Sequence, residues 1–363
     1  FDLPSSRVFS VPNSVKNGFA SGLTNGGVWT PMVTNWALDA ETGELDWELM
    51  REFGYLATHR LAVVAKEVIK AAYGEYPEYS YFQGASGGGR QAIVEAQKYP
   101  DDFDGIWADC PAINWTKFIP AELWPCLVMN VYNDPLPMSK LDAFRDMVIK
   151  RCGGEDAFFS RVDAADVNAY DAVGTETADG PITELDATVM QDIWEGPRDE
   201  AGEFLWYGLR PGTVSWNDMG FGLACCRDGK ILPWNLATMY LGEWVARDYG
   251  WDWEKVGIAD FASMFRRGVN DFEEALPESP DLRALGASGH KLMISHGVLD
   301  MCIFPDGTLD YYNRAIDIAG SKDELKKYAR LFLFPGTSHG TIDDYPSFTM
   351  ADGMVALMRW VEE

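Results

Sequence analysis

Long apolar runs are missing from this 363-residue chain. No stretch of about 18 uncharged apolar residues occurs, which excludes a membrane-spanning helix. Basic residues are few: 30 Lys+Arg stand against 56 Asp+Glu, a net charge of −26. Such a chain repels phosphate backbones and anionic lipid, which argues against nucleic acid and membrane partners. Histidine is scarcer still, with four residues at 59, 290, 296 and 339. The six cysteines, at 110, 126, 152, 225, 226 and 302, form no C-x-x-C pair, so a Cys/His zinc site lacks its usual spacing. Adjacent Cys225 and Cys226 cannot bond each other without strain. A disulfide framework and a set of free buried thiols both stay open. Phe1-Asp2-Leu3-Pro4-Ser5-Ser6 has neither a basic n-region nor an apolar h-region, so a signal peptide is expected to be absent or already removed. One sequon, Asn114-Trp115-Thr116, would allow a glycan in a secreted protein.

What is present is ordinary globular composition, with 47% apolar residues. At about 150 residues per domain the length suits two domains, or one core with a large insertion. Apolar spacing at Leu49, Phe53, Leu56, Ala57, Leu61, Val64 and Val68 predicts a helix over 47–73, ending near Gly74. A β-like run follows at 79–82, then glycines from Gly84 to Gly89. A helical run from Gln91 to Tyr99 stops at Pro100, and a second strand is expected over 103–108. The texture returns late, with strands expected at 291–295 and 330–334 and helices at 306–319 and 349–362. Strand–turn–helix–strand order predicts an α/β fold with a mostly parallel sheet. Residues between are rich in Trp, Gly, Pro and Asp and alternate poorly. Residues 1–114 and 286–363 are therefore expected to form one core, and 115–285 an inserted lid.

Gly84-Ala85-Ser86-Gly87-Gly88 fits G-x-S-x-G, between an expected strand and an expected helix, as a nucleophile elbow requires. The plain alternative is a tight turn with an inert serine. A phosphate loop is disfavoured, because G-x-x-x-x-G-K is absent. A nucleophilic serine needs a base and an orienting acid, in the chain order Ser, acid, His. His339 lies in a loop just past a strand, where such a base belongs. His290 and His296 read as strand-end residues. Asp300 follows the strand at 291–295, with Asp306 and Asp310 as competitors in or near the next helix. Ser86, Asp300 and His339 fit the order, and the insertion falls between Ser86 and Asp300. The backbone N–H of Gly87, next to the nucleophile, would be the first oxyanion donor.

These residues carry a resemblance. Tyr81 to Gln91, Tyr99 to Ile106, Pro111-Ala112, Lys291 to Asp300 and Pro335 to His339 are similar to the tannase/feruloyl esterase family. Gly196 to Gly202 resembles part of that family's lid. The resemblance implies an α/β-hydrolase core with a large lid, and a carboxylic ester hydrolase acting on small-molecule esters of aromatic or phenolic acids. Ser86 would be nucleophile, His339 general base and Asp300 the orienting acid. No redox cofactor is required. The non-hydrolytic alternative is acyl transfer or cyclisation of an aromatic polyketide in the same pocket.

Three departures bear on the reading. The family usually pairs a Cys before the Ser with a Cys after the His, where this chain has Ala85 and Gly340. Relatives often bind calcium in a lid loop; the matching stretch, 171–180, offers Asp171, Glu176 and Asp179, against the alternative of a solvated acidic loop. Of the family's glycine-rich amino-terminal segment, Asn17 to Gly22 remains, and Gly18 is the candidate second oxyanion donor. Lid aromatics suit a phenolic acyl group by stacking, with Trp216, Phe221 and Trp234 the candidates; the alternative is that they build the lid's own core. Arg227, Arg266 and Arg267 could meet a substrate carboxylate, or serve the surface. Acidic charge, the sequon and the resemblance point to secretion, with an intracellular location still open. Monomer and homodimer are both compatible with the sequence.

Overall fold

The computed structural model describes residues 11–28, 36–213, 223–339 and 350–363. Four strands, Tyr81–Ala85, Gly105–Asp109, Lys291–Gly297 and Ala329–Phe334, lie side by side in that order, all parallel. The register pairs Ala85 with Asp109 and Asp109 with Ser295, so the carboxyl ends of the first three strands lie level. Parallel strands are covered on both faces. Ile106, Ala108, Leu292 and Ile294 point to one face, where they meet Ile93, Tyr311 and Ala315. Trp107 and Met293, one residue out of step, meet Leu357 on the other.

The expected strands and helices all form, with ends shifted by a few residues. Helix Gly87–Lys98 replaces the expected Gln91–Tyr99 and is buried from Gly88 through Ala96, more like a core rod than an amphipathic surface helix. The late helices span Pro305–Ala319 and Met350–Glu362.

The expected helix over 47–73 forms in three parts. Trp47–Arg51 and Ala57–Tyr73 are α-helical, and Glu52–Leu56 between them is a π-turn. The π-turn has an identifiable partner. Buried Arg90 donates from Nη1 to the Gly54 carbonyl at 2.8 Å and from Nη2 to the Phe53 carbonyl at 2.7 Å. Its guanidinium also stacks on Phe53, 4.2 Å from the ring centre. Gly54 is needed here, since a Cβ would fall 1.8 Å from the Ala275 carbonyl oxygen. Burial lowers the Arg90 pKa to about 9, which leaves it charged at neutral pH. Arg90→Met should strand both carbonyls and destabilise the fold by about 2–4 kcal/mol, read as a lower urea midpoint. Toward the other end of this region one expectation fails. Val64 and Val68, assigned to the apolar face, are exposed.

Between the second and third strands the described residues contribute helices and one short hairpin, Cys226–Arg227 with Lys230–Ile231, but no strand to the main sheet. The largest apolar cluster joins this stretch to residues on both sides of it. Trp115, Trp124, Phe144, Trp244 and Phe261 share it with Val28, Met50, Phe53, Ile303 and Phe304. Trp124 and Trp206 are buried there, while Trp194 and Tyr207 pack against it half-buried. All six cysteines are unpaired. The sequon cannot carry a glycan on the folded chain. Asn114 is 1% exposed. Its Nδ2 donates to the Gly307 carbonyl and its Oδ1 accepts from Arg314.

Candidate active site

Ser86 stands between the first strand and helix Gly87–Lys98, with φ 59° and ψ −120°. That left-handed backbone is costly for a non-glycine residue and over-determined by its surroundings. The Ser86 N–H donates to the Asp109 carbonyl at 3.0 Å, and its carbonyl accepts from Arg90 and Ala112. A Cβ on Gly84 would fall 2.2 Å from the Gly88 carbonyl oxygen, and one on Gly89 would fall 2.5 Å from that of Asp109. Gly88 itself faces open space, so the crowded positions are Gly84 and Gly89 rather than the two motif glycines alike.

Asp300 lies just beyond the third strand and His339 just beyond the fourth. His339 Nδ1 donates to Asp300 Oδ2 at 2.7 Å. Asp300 is 1% exposed and fully supplied with donors. Its Oδ1 accepts from the backbone N–H of Cys302 at 2.7 Å and of Ile303 at 2.9 Å. Its Oδ2 accepts a second bond, from His296 Nε2, at 3.1 Å. Burial alone would raise the Asp300 pKa. The positive charge on His339 and the hydrogen bonds from both histidines outweigh it and hold the carboxyl well below its usual range. For His339 burial favours the neutral ring, but the Asp300 charge wins and lifts its pKa well above the ordinary imidazole value.

His296 is the residue that sequence reasoning passed over as a strand end. It is wholly buried. Its Nε2 also contacts the Ile303 carbonyl at 3.1 Å, and a carbonyl only accepts, so Nε2 carries the proton. Its Nδ1 then accepts from Thr308 Oγ at 2.9 Å. His296 thus orients Asp300, which orients His339. His296→Phe should lower kcat about 10–100-fold with KM nearly unchanged, the effect of one lost bond to a charged group. His296→Gln, which keeps an N–H, should recover part of the loss. A purely structural role would instead lower thermal stability and leave kcat per folded molecule unchanged.

Cys110, at the end of the second strand, adds a buried thiol to the same cluster. Its sulfur, an Asp300 oxygen and a His339 nitrogen lie within 4.8 Å of one another, and the thiol is hydrogen-bonded to His339. Among the described residues no hydrogen bond joins Ser86 Oγ to His339. Burial pushes the Cys110 thiol up, so it stays protonated and is a poor nucleophile. Glu122 is a second buried neighbour the sequence did not suggest. Burial raises its pKa far above the carboxylate range, an effect opposed by the charge of His339.

The remaining expected site residues fare differently. Gly87 opens the helix after Ser86, where first-turn N–H groups have no partner within the helix. Gly18 does not offer a free donor: its N–H goes to the Val15 carbonyl at 3.0 Å and the residue is exposed. Trp234 is half-buried against the largest apolar cluster. Trp216 and Phe221 lie outside the described residues, as does Gly340. Asp171, Glu176 and Asp179 do not come together as a cation site. Asp171 pairs with Arg151 at 3.1 Å, and Asp179 accepts from Ser139 Oγ at 2.6 Å. Neither group of potential metal ligands among the described residues includes any of the three. Asp306 is held by Arg210 at 2.7 Å and Asp310 by Arg314 at 2.8 Å, so neither competes with Asp300 for His339. Arg266 pairs with Asp199, and Arg267 donates to the Val245 carbonyl.

Known proteins share the family and the fold. Residues 2–224 and 260–363 match the family described as tannase and feruloyl esterase. A probable feruloyl esterase of Arthroderma benhamiae is 34% identical over 95% of this chain and 66% of its own length. A probable feruloyl esterase B-2 of Neosartorya fischeri is 24% identical over 87% of this chain and 62% of its own length. The chain thus spans somewhat under two thirds of these two relatives. Among solved structures, tannin acyl hydrolase from Aspergillus niger superposes with a TM-score of 0.82, covering 97% of this chain and 70% of that one at 23% identity. Feruloyl esterase B from Aspergillus oryzae gives 0.74, covering 87% and 66%, also at 23% identity. The fold is that of an α/β-hydrolase, and the chain belongs to the tannase and feruloyl esterase family.

Proposed function

We propose that the chain is a carboxylic ester hydrolase that cleaves a small-molecule ester of an aromatic or phenolic acid. The observation that carries this is the 2.7 Å His339–Asp300 pair at the same carboxyl end of the sheet as a serine held at φ 59°. In the reaction, His339 Nε2 accepts the Ser86 proton as Oγ attacks the ester carbonyl. The Gly87 N–H faces the developing oxyanion. The protonated ring then gives its proton to the leaving alcohol, and water cleaves the acyl-serine by the reverse relay. The resting enzyme places His339 against Cys110, and such relays often tighten only with substrate bound.

Residues 115–285 would form the lid over this end of the sheet, sharing their core with the frame rather than standing as a separate body. Glu122, neutral and buried beside the triad, would tolerate a phenolic ring and donate to its oxygen. The relatives' names give no support to acyl transfer or cyclisation. An extracellular setting rests on the acidic charge and the family, since the sequon is buried and the cysteines are unpaired.

Two measurements test the reading. Incubation with a fluorophosphonate should add one adduct per chain by intact mass, and methyl ferulate or methyl gallate should yield free acid. No adduct on folded protein would remove Ser86 from the role. An adduct without free acid from any aromatic ester would remove the substrate class.

A further inference from the structure

A second cluster of titratable side chains lies outside the triad, on three separate segments. His59 is on helix Ala57–Tyr73, Glu95 on helix Gly87–Lys98, and Asp102 in the turn leading to the second strand. His59 Nδ1 lies 2.6 Å from Asp102 Oδ2. The His59 ring stacks on Tyr99 at 3.8 Å and 12°, which fixes its orientation. Glu95 is 0% exposed, its oxygens accept no hydrogen bond, and burial with the neighbouring Asp102 carboxylate raises its pKa to about 9, so it stays protonated. A buried carboxyl that accepts no hydrogen bond is costly, and nothing in the catalytic arrangement uses it. One donor atom from each of the three residues lies within 4.8 Å of the other two.

We propose that His59, Glu95 and Asp102 form a binding site for one divalent transition-metal ion of the zinc type. One imidazole and two carboxylates suit a borderline ion better than calcium or magnesium, which prefer oxygen alone. Once Glu95 gives up its proton on binding, two carboxylates and a neutral imidazole carry a charge of −2, which a divalent cation cancels. Tetrahedral ligands at about 2.1 Å stand about 3.4 Å apart, so the 2.6 Å His59–Asp102 contact must open slightly while Glu95, within 4.8 Å of both, needs to close only a short gap. The ion takes the place of the proton between His59 Nδ1 and Asp102, which is held instead at His59 Nε2 so that the imidazole stays neutral, and Glu95, protonated in the metal-free protein because burial raises its pKa to about 9, releases its proton to solvent as it ligates. Side chains of His59 and Asp102 are 30% and 16% exposed, which gives an entry path and room for a fourth, water ligand. The bound ion would tie the helix that begins at the Ser86 elbow to helix Ala57–Tyr73 and to the 99–104 turn. Its role would be structural.

The test uses tag-free protein stripped with EDTA and titrated with zinc chloride by calorimetry, with thermal unfolding in parallel. Glu95→Gln keeps the side-chain volume and removes a ligand. Wild type should bind one more zinc than Glu95→Gln, or bind it at least about 100-fold more tightly. Zinc at about 100 times its Kd should raise the wild-type Tm by about 3–5 °C and leave that of the variant nearly unmoved. Both proteins keep Cys110, Asp300 and His339, so any zinc taken there cancels in the comparison. Should Glu95→Gln fold poorly, His59→Gln, at a partly exposed position, gives the same comparison. Equal zinc uptake and equal Tm shifts in wild type and variant would overturn the proposal and leave a hydrogen-bonded cluster. The outcome is independent of whether the chain hydrolyses any ester.

Discussion

Ser86→Ala should lower kcat on an aromatic ester by about 10⁶ and abolish the fluorophosphonate adduct. The size follows from what the residue does: its Oγ forms the covalent bond, and no other group can replace it. Where a complete serine–histidine–aspartate unit operates, losing the serine alone costs about as much as losing the whole unit. Cys110 does not rescue the reaction, since its buried thiol stays protonated. A companion variant separates chemistry from folding. Ser86 holds φ 59° and ψ −120°, a conformation that favours glycine. Ser86→Gly should therefore be equally inactive yet more stable than wild type by about 1–2 kcal/mol, through release of backbone strain. A raised urea midpoint with lost activity is the signature of strain held for function. An unchanged or lowered midpoint for Ser86→Gly would mean that the elbow is not strained. Residual activity above about 10⁻² of wild type in both variants would exclude Ser86 as nucleophile.

The sheet was legible because its strands are short apolar runs bounded by glycine, proline and charged turns. The elbow was legible because the glycine that opens the motif, Gly84, answers to the Gly88 carbonyl only four residues on. What sequence reading missed depends on partners far along the chain. The π-turn at Glu52–Leu56 accompanies Arg90, which takes the Phe53 and Gly54 carbonyls from another helix. Val64 and Val68 share the spacing of the buried residues before them yet face solvent, because periodicity reports a face but not what covers it. His296 looked like a strand end, and only the return of the chain through Asp300, Ile303 and Thr308 gives it three partners. Asn114 fits the sequon rule, but folding seals it under Gly307 and Arg314. The acidic loop over 171–180 has the composition of a calcium loop, while Arg151 and Ser139, outside the loop, take two of its carboxylates. The His59, Glu95 and Asp102 group escaped notice for the opposite reason: its members sit on three segments with no motif spacing.

Asp300→Asn should lower kcat by about 10⁴ and move the acid limb of the pH profile downward. The geometry requires both effects. Two backbone N–H groups, of Cys302 and Ile303, point at Asp300 Oδ1, so the amide oxygen must take that position. The amide NH₂ then faces His339 Nδ1 and His296 Nε2. It can only donate, so His339 must carry its proton on Nε2, the nitrogen that should receive the Ser86 proton. A wrong tautomer of this kind costs about 10⁴ in an unrelated serine protease whose triad geometry is otherwise intact. The pH effect follows from charge. In the wild type, activity needs neutral His339, so it falls as pH drops through that residue's pKa, which Asp300 holds well above the ordinary imidazole value. The wild-type acid limb in kcat/KM should therefore lie above about pH 6.5. Without the carboxylate both of its contributions are lost, and burial, which favours the neutral ring, is opposed by Cys110 alone. The limb of the residual activity should thus lie below its wild-type position in Asp300→Asn. Asp306→Asn and Asp310→Asn, whose carboxylates are held by Arg210 and Arg314, should leave the limb where it is. A limb that stays fixed in Asp300→Asn and shifts in either of those variants would transfer the acid's role to the other carboxylate.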